Sequence, residues 1–128
     1  AQELQLYTGA DPETKLAAAG PVLSREALLQ LRTAAAAVRV QQPVAEYAYR
    51  VVMATRSHPE VQLGASPRAA MAWLRAAKAR ALLDDRDFVL PDDLKALAGP
   101  ALGHRVFLRN EGDAAPLVAE LLRTVPVP

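Results

Sequence analysis

The chain has 128 residues, enough for one domain that buries roughly two thirds of the surface of its unfolded chain. Hydrophobic residues make up 52% of the sequence but aromatic residues only 5%, so the core must consist mainly of Ala, Leu and Val, a composition that favours packed helices over a β-sandwich. The net charge of +1, from 15 basic and 14 acidic residues, is too balanced to indicate a nucleic-acid or membrane-surface protein by charge alone, and the absence of Cys excludes disulfides and thiolate metal sites.

The first 23 residues are predicted to form an arm or linker with little core of its own. Turn signals at Gly9–Pro12 and at Gly20-Pro21 enclose a short helical turn that reaches about Leu16. Because the chain begins at Ala1 without Met, we expect it to be a piece of a longer polypeptide.

Two helices are predicted between Ser24 and Ser57. Ser24 is a good N-cap for a helix that reaches about Arg39, and Pro43 starts a second helix, which ends near Ser57 because Pro59 disfavours helix in the residue before it. The apolar stripe of the first comprises Leu28, Leu31, Ala35 and Val38, and that of the second comprises Val44, Tyr47, Ala48, Val51 and Thr55.

A third helix is predicted from Pro67 to about Leu83. Arg68 and Arg75 share one of its faces with small residues, which is typical of a surface that a ligand or partner approaches. The predicted apolar stripe lies on a different face and comprises Ala70, Met71, Leu74, Ala77 and Ala81. Trp73 and Tyr47 are assigned to the core or an interface.

The remaining segments predict a short strand and two helices. Phe88-Val89 is expected to pair with the segment from Arg105 to Leu108. Pro91 starts a fourth helix that Gly99-Pro100 stops, and the last helix covers about Asp113 to Thr124 with an apolar face of Leu117, Val118, Leu121 and Leu122. The predicted fold class is mainly α, a small bundle of about four to five helices. A short two-stranded β ribbon is an optional addition to this bundle.

The run from Gly64 to Arg68 is the most informative part of the sequence. Gly64 breaks the preceding segment, Ser66 offers an N-cap, and Pro67 takes the first helical position, where its missing N–H costs nothing. Arg68 lies in the first turn, where the helix dipole prefers negative charge, so its position is mildly unfavourable unless an anion meets it. These residues alone leave two interpretations of Arg68, an anion-sensing group or a surface Arg after an ordinary cap.

Other polar residues favour structural roles over chemistry. The two histidines, His58 and His104, lack the acidic or Cys partners of a metal site, and no metal site is predicted. Thr55 is expected to cap the end of the second helix, whereas Arg56 is left open between a helix-end contact and a ligand contact. The acidic cluster of Asp84, Asp85, Asp87, Asp92 and Asp93 is interpreted as a solvated turn and a helix start rather than a Mg²⁺ or acid–base site.

The order of these motifs resembles the C-terminal lid domain of MoxR-type AAA+ ATPases over roughly residues 24–108. The resemblance is carried by residues 54–63, by the Gly64–Arg68 run, by Ala76–Ala79, by Arg86–Asp93 and by His104-Arg105. It implies that Arg68 is the sensor 2 residue, which reaches the γ-phosphate of ATP, with Gly64, Ser66 and Pro67 supporting it. The candidates for further nucleotide or subunit contacts are Tyr47, Arg56, His58 and Arg75.

The resemblance also implies a division of the chain and a set of partners. Residues 1–23 would be the arm from an N-terminal ATPase core, residues 24–110 the helical lid, and residues 111–128 a C-terminal helix packed on the lid. ATP and Mg²⁺ would be cofactors of the parent protein, with none bound tightly here. Neighbouring subunits of a hexameric ring and proteins with a von Willebrand factor A domain would be partners in chaperone-like remodelling, in the cytoplasm of a bacterium or archaeon.

Absent motifs limit what this chain does by itself. It contains neither a G-x-x-x-x-G-K-[ST] phosphate loop nor a strand ending in an Asp-Glu pair of the Walker B kind, so we expect no enzyme activity from it alone. No apolar run reaches the ~18 residues of a membrane span, and no membrane contact is expected. The alternative is a stand-alone helical module whose Arg-lined third helix contacts nucleic-acid phosphates, although the balanced charge and the acids near residues 84–93 oppose it.

Overall fold

The computed structural model describes residues 12–128, which divide into two compact units, the first reaching Gln30 and the second running from Leu31 to Pro128. In the first unit, α1 spans Pro12–Ala18 and matches the predicted short helical turn. Helix α2, Arg25–Ala37, begins in the first unit and ends in the second. Ser24 Oγ accepts the N–H of Ala27 at 3.1 Å, which confirms the predicted cap. Residues 1–11 of the predicted arm, including most of the turn signal before Pro12, lie outside the described residues, and the proposed boundaries at 24 and 111 stay predictions.

The second unit contains four further helices and a two-stranded sheet. After α2 the elements are α3 (Gln42–Ser57), β1 (Val61–Leu63), α4 (Pro67–Leu83), α5 (Pro91–Leu102), a 3₁₀ turn (Gly103–Arg105), β2 (Phe107–Leu108) and α6 (Ala115–Thr124). The mainly α prediction with a short ribbon is therefore confirmed. None of the helices within residues 12–128 has the length and apolar character to cross a membrane.

The core of the second unit lies between α3, α4, α5 and α6. Its largest fully buried side chain is Trp73 of α4, whose Nε1 donates to the carbonyl oxygen of Leu94 at 2.9 Å. The predicted apolar faces of α3 and α6 are buried as expected, apart from half-buried Leu122. Other core residues without exposure are Tyr47, Val51, Ala77, Ala81, Leu94, Ala98, Leu102 and Val118. Small Ala side chains allow these helices to pack closely around the one large indole.

The apolar stripe predicted on α4 was partly wrong. Ala77 and Ala81 are buried, but they are joined by Ala69 and Trp73, whereas Met71 is 56% exposed. Both sets of residues fit helical spacing with Ala77 and Ala81, so periodicity could not choose between them. Burial of the large Trp73 side chain decides the orientation of the helix, because it removes far more apolar surface from water than a Met or Ala neighbour does.

The stripe predicted on α2 was also wrong for its leucines. Leu28 and Leu31 are each about half exposed, and α2 contains no buried residue. Val38, the first residue after the helix, does lie in the core. Of the predicted apolar stripe, only Val38, just after the last residue of the helix, is buried.

The ribbon forms between different segments from those predicted. β2 pairs antiparallel with β1, with Val61 opposite Leu108, and not with Phe88-Val89. Phe88 instead forms an isolated bridge with Arg39, supported by a hydrogen bond from the Val89 N–H to the Arg39 carbonyl oxygen at 3.0 Å. Arg109, just after β2, extends this pairing, because its N–H donates to the Glu60 carbonyl oxygen and its Nε donates to the Pro59 carbonyl oxygen, both at 2.8 Å. The segment that follows α3 therefore takes the place expected for Phe88-Val89. The ribbon consequently fixes the chain immediately before Gly64.

Helix α5 continues through Gly99-Pro100 to Leu102, so the predicted stop was wrong. A Pro inside a helix loses one backbone hydrogen bond and crowds the carbonyl four residues earlier. Here that loss falls in the last turn, where Ala98 and Leu102 are fully buried on either side of Pro100. Their burial holds the last turn in helical conformation despite the Pro.

Candidate functional site

The candidate site is the start of α4. Ser66 has extended backbone angles, φ −78° and ψ 163°, and its Oγ accepts the N–H of Ala69 at 3.2 Å. Pro67 occupies the first helical position, as predicted from the sequence. The Ala70 N–H donates to the Ser66 carbonyl oxygen at 3.1 Å, and Pro67 has no N–H, so the Arg68 N–H is the one backbone donor of the first turn left free.

Arg68 is exposed and unpaired at this helix start. Among residues 12–128 no hydrogen bond or ion pair involves its side chain, and the first turn of α4 contains no acidic residue. Its guanidinium thus stands near the positive end of the helix dipole without a counter-charge. An oxyanion placed there could accept hydrogen bonds from the guanidinium fork and from the free backbone N–H of Arg68.

Two side chains from the last turn of α3 hold the loop that precedes Arg68. Thr55 Oγ1 accepts the N–H of Ala65 at 3.0 Å and donates to the Val52 carbonyl oxygen at 2.6 Å. Arg56 Nε donates to the Ala65 carbonyl oxygen at 2.8 Å. Both backbone groups of Ala65, a fully buried residue, are therefore bonded to side chains of α3. The helix-end cap expected of Thr55 is thus only part of its role, because its hydroxyl also ties α3 to the site loop.

Gly64 is required by close packing. A Cβ built on Gly64 would lie 2.7 Å from the Cα of Arg56 and 2.8 Å from its backbone nitrogen. Both are backbone atoms of α3, which cannot turn aside as a flexible side chain would. Since no glycine among the described residues has a positive φ, the need for glycine here comes from the approach of the loop to α3.

Tyr47 does not lie at the site. Its side chain has no exposure, and its hydroxyl donates to the Leu122 carbonyl oxygen at 3.2 Å. Burial, with a smaller effect of the Asp92 charge, raises the pKa of the Tyr47 hydroxyl above its usual range. The expectation that Tyr47 contacts a nucleotide or a neighbouring subunit is therefore corrected, because the ring is enclosed between helices of the core.

The other candidates lie at different distances from Arg68. Arg56 is in contact with the site loop, as described above. His58 is half-buried just after α3, and its Nδ1 accepts the Glu60 N–H at 3.3 Å. Arg75 is exposed two helical turns along α4, about 10 Å along the axis from Arg68. The structure thus brings Arg56 to the motif and leaves Arg75 on a separate part of the same helix.

An apolar groove opens beside the site between α3 and α4. It has a volume of about 290 Å³ and includes Tyr49, which is 64% exposed, and Met71, which is 56% exposed. Arg56 and Pro67, which belong to or contact the Gly64–Arg68 loop, also line the groove. An apolar groove next to an unpaired cation is typical of a surface that another part of a protein covers.

The acidic cluster contains a buried ion pair that the sequence did not indicate. Asp93 is 3% exposed and accepts two hydrogen bonds from Arg86, at 2.7 and 2.8 Å, and one from the Leu90 N–H at 2.8 Å. Burial by itself would raise the pKa of Asp93, but the Arg86 guanidinium and the Leu90 N–H outweigh it and hold that pKa below its usual value. Asp93 therefore fastens the start of α5, and within residues 12–128 no group of three or more His or acidic side chains could hold a metal ion.

Comparison with known proteins places this geometry in a family. The AAA lid domain family matches residues 53–124. YeaC of Bacillus subtilis, a protein of uncharacterized function, is 41% identical over 113 residues, which cover 84% of this chain and 35% of that protein. The chaperone MoxR1 of Mycobacterium tuberculosis is 34% identical over 121 residues, covering 84% of this chain and 32% of the relative. The chain thus spans about a third of the length of these relatives.

A solved structure shares the fold. A Cytophaga hutchinsonii protein assigned as an ATPase, with a crystal structure at 2.00 Å, matches with a TM-score of 0.77 and 28% identity, over 83% of this chain and 36% of that one. The family match covers residues 53–124, more than half of the sequence, and includes α4 with its Ser-Pro-Arg start. The chain therefore belongs to the AAA lid domain family and is the C-terminal lid of a MoxR-type AAA+ ATPase.

Proposed function

We propose that this lid senses the γ-phosphate of ATP through Arg68 and couples ATP binding and hydrolysis in the parent protein to lid motion. The observation that carries the proposal is the exposed, unpaired guanidinium of Arg68 in the first turn of α4. A cation in that position is stabilised only when an anion comes to it, and the γ-phosphate is such an anion. Sensor 2 is the role that the family resemblance gives to this residue.

The surrounding contacts suit a sensor that moves as part of a rigid body. Thr55 and Arg56 bond both backbone groups of Ala65, so the loop before Arg68 is fixed to α3. When Arg68 donates a charge-assisted hydrogen bond to the phosphate, any displacement of Arg68 moves the packed helices with it, because the loop before it is bonded to α3. Arg68 loses this contact once the γ-phosphate is gone, and the lid is then free to rotate about its hinge.

The partners in this proposal are the other parts of a ring-shaped ATPase. The N-terminal ATPase core of the same polypeptide would supply the ATP and Mg²⁺ site and cover the apolar groove beside Pro67, so that the parent, not this lid, is the ATP hydrolase. Arg56, His58 and Arg75 are candidates for contacts with nucleotide or with a neighbouring subunit of a hexamer. The chaperone name of the M. tuberculosis relative supports remodelling of client proteins. The cytoplasm as the place of action and von Willebrand factor A domain proteins as partners are proposed from the family resemblance alone.

The test compares ATP with ADP in the full-length polypeptide that joins this lid to its ATPase core. Arg68→Ala should weaken ATP binding by about ten- to a hundredfold, the equivalent of one hydrogen bond to a charged group at about 1.5–3 kcal/mol, and leave ADP binding nearly unchanged. Titration calorimetry with a non-hydrolysable ATP analogue and with ADP measures both. Arg123→Ala, which removes an exposed cation from the end of α6, is the matched control. Equal loss of ATP and ADP affinity in the Arg68 variant would show that Arg68 does not distinguish the γ-phosphate.

A further inference from the structure

A second group of cations lines a cleft between α2 and α4. The cleft has a volume of about 310 Å³ and is lined by Arg32, Ala35 and Ala36 of α2 and by Arg75 and Lys78 of α4. We call it the basic cleft. Three of its five lining residues are cations, and the other two are small Ala residues.

The charges of the basic cleft are not balanced by acids. No acidic side chain lines the cleft, and none of its three cations takes part in an ion pair within residues 12–128. Elsewhere in the described chain cations near carboxylates do pair, as Arg39 does with Asp87 at 2.8 Å. Three like charges around one cavity repel each other unless an anion lies between them.

Two of the cations are already held in position by the backbone. Lys78 Nζ donates to the Ala36 carbonyl oxygen at 3.0 Å, and Arg75 Nε donates to the Met71 carbonyl oxygen at 3.2 Å. These bonds fix the side chains while leaving both terminal nitrogens of Arg75 and the remaining N–H groups of Lys78 unused. Arg32 is exposed and forms no hydrogen bond within residues 12–128. Two of the three cations are therefore oriented before an anion binds, whereas Arg32 would become ordered on binding.

The size and donor set of the cleft indicate the class of ligand. Pockets that take small molecules run from about 300 to 1,000 Å³, so this cleft of about 310 Å³ lies at the small end of that range and suits a small anion. Two Arg forks and an ammonium group match the several oxygens of a phosphate group. We propose that the basic cleft binds a small phosphate-bearing anion through Arg32, Arg75 and Lys78. This inference goes beyond the proposed function, since it involves neither Arg68 nor the ATPase core and assigns to Arg75, so far a candidate for a nucleotide or subunit contact, a ligand of its own.

The proposal is tested by titrating the 128-residue chain with inorganic tripolyphosphate at low salt. Binding is measured by calorimetry and by changes in the NMR chemical shifts of residues in α2 and α4. We expect saturable binding with a dissociation constant of about 1 mM or below, because several charge-assisted hydrogen bonds form together. The variant Arg32→Gln/Arg75→Gln should weaken binding by about tenfold or more. The double variant Arg50→Gln/Arg123→Gln removes two exposed cations outside the cleft and is the matched control, expected to bind within about twofold of the parent sequence.

Two further titrations identify the chemistry of the anion. In the first, fructose 1,6-bisphosphate replaces tripolyphosphate, so that the affinity for a phosphate ester is compared with the affinity for an inorganic polyphosphate. Tighter binding of either compound supports the proposal and shows which of these two kinds of phosphate the cleft prefers. Citrate supplies a carboxylate anion of similar charge. The proposal is overturned by an absence of saturable tripolyphosphate binding, by equal losses in the cleft and control variants, or by citrate binding more tightly than both phosphates. Far-ultraviolet circular dichroism of each variant establishes that the helices remain folded.

Discussion

Replacing Thr55 with Val tests whether the end of α3 holds the loop that leads to Arg68. Val has nearly the shape of Thr but has no hydroxyl, so the change removes hydrogen bonds while creating no cavity. The Thr55 hydroxyl is fully buried and accepts the N–H of Ala65, which is itself without exposure. In the variant that N–H would lie next to a methyl group, out of reach of water.

The expected cost follows from this geometry. A buried donor left without a partner costs about 1–3 kcal/mol, and the added methyl group returns up to ~0.8 kcal/mol of hydrophobic burial. Arg56 would still bind the Ala65 carbonyl oxygen, so the loop should loosen rather than detach. We therefore expect Thr55→Val to lower the free energy of unfolding by about 1–2 kcal/mol.

Urea unfolding followed by circular dichroism measures this difference at constant m-value. The same substitution at Thr124, an exposed residue whose hydroxyl donates to the Leu121 carbonyl oxygen at 3.2 Å, is the matched control and should change stability by less than about 0.5 kcal/mol. Amide hydrogen exchange at Ala65 should accelerate in Thr55→Val alone. A Thr55→Val protein as stable as the parent sequence, with unchanged exchange at Ala65, would refute the idea that this hydroxyl holds the loop.

Two further predictions concern the packing around the site and the buried ion pair. Gly64→Ala should destabilise the domain by about 1–3 kcal/mol in thermal unfolding, because the new Cβ would lie 2.7–2.8 Å from backbone atoms of Arg56. An unchanged unfolding midpoint would show that the loop and α3 separate easily. Asp93→Asn should cost about 3 kcal/mol at pH 7, since it leaves Arg86 without its main partner. The pKa of Asp93 is lower in the folded than in the unfolded chain, so its stabilisation is complete above the unfolded value of about 4 and is lost as the pH falls through the folded value. Urea unfolding at pH 7 and pH 3 should accordingly show a smaller difference between the two proteins at the lower pH, and an equal difference would contradict this origin.

Local signals predicted the helices well because each has its own start in the sequence. Ser24 caps the start of α2, Ser66 and Pro67 begin α4, and Pro91 begins α5. Such caps act within three or four residues, so they can be identified without knowing what the helix packs against. The error at Pro100 has the same origin, since a local rule cannot include the burial of Leu102 that holds the last turn.

Contacts between segments that lie far apart in the sequence could not be predicted from such local signals. Val61 and Phe88 both have strand character, and the local sequence does not decide which of them lies beside Leu108. The bonds of Thr55 and Arg56 to Ala65 likewise depend on a turn that brings residues about ten apart together. The sequence motif located Arg68 itself, but the groups that fix its loop follow from tertiary contacts.

The most direct test of the central claim is ATP turnover by the full-length polypeptide with Arg68→Ala, measured beside the Arg123→Ala control. If Arg68 stabilises the transferring γ-phosphate, the variant should lose about ten- to a hundredfold in turnover while its thermal midpoint stays within about 2 °C of the parent, because an exposed and unpaired side chain contributes little to folding. Turnover unchanged by Arg68→Ala, or reduced equally by the control, would contradict the claim and leave Arg68 as a surface residue at an ordinary helix start.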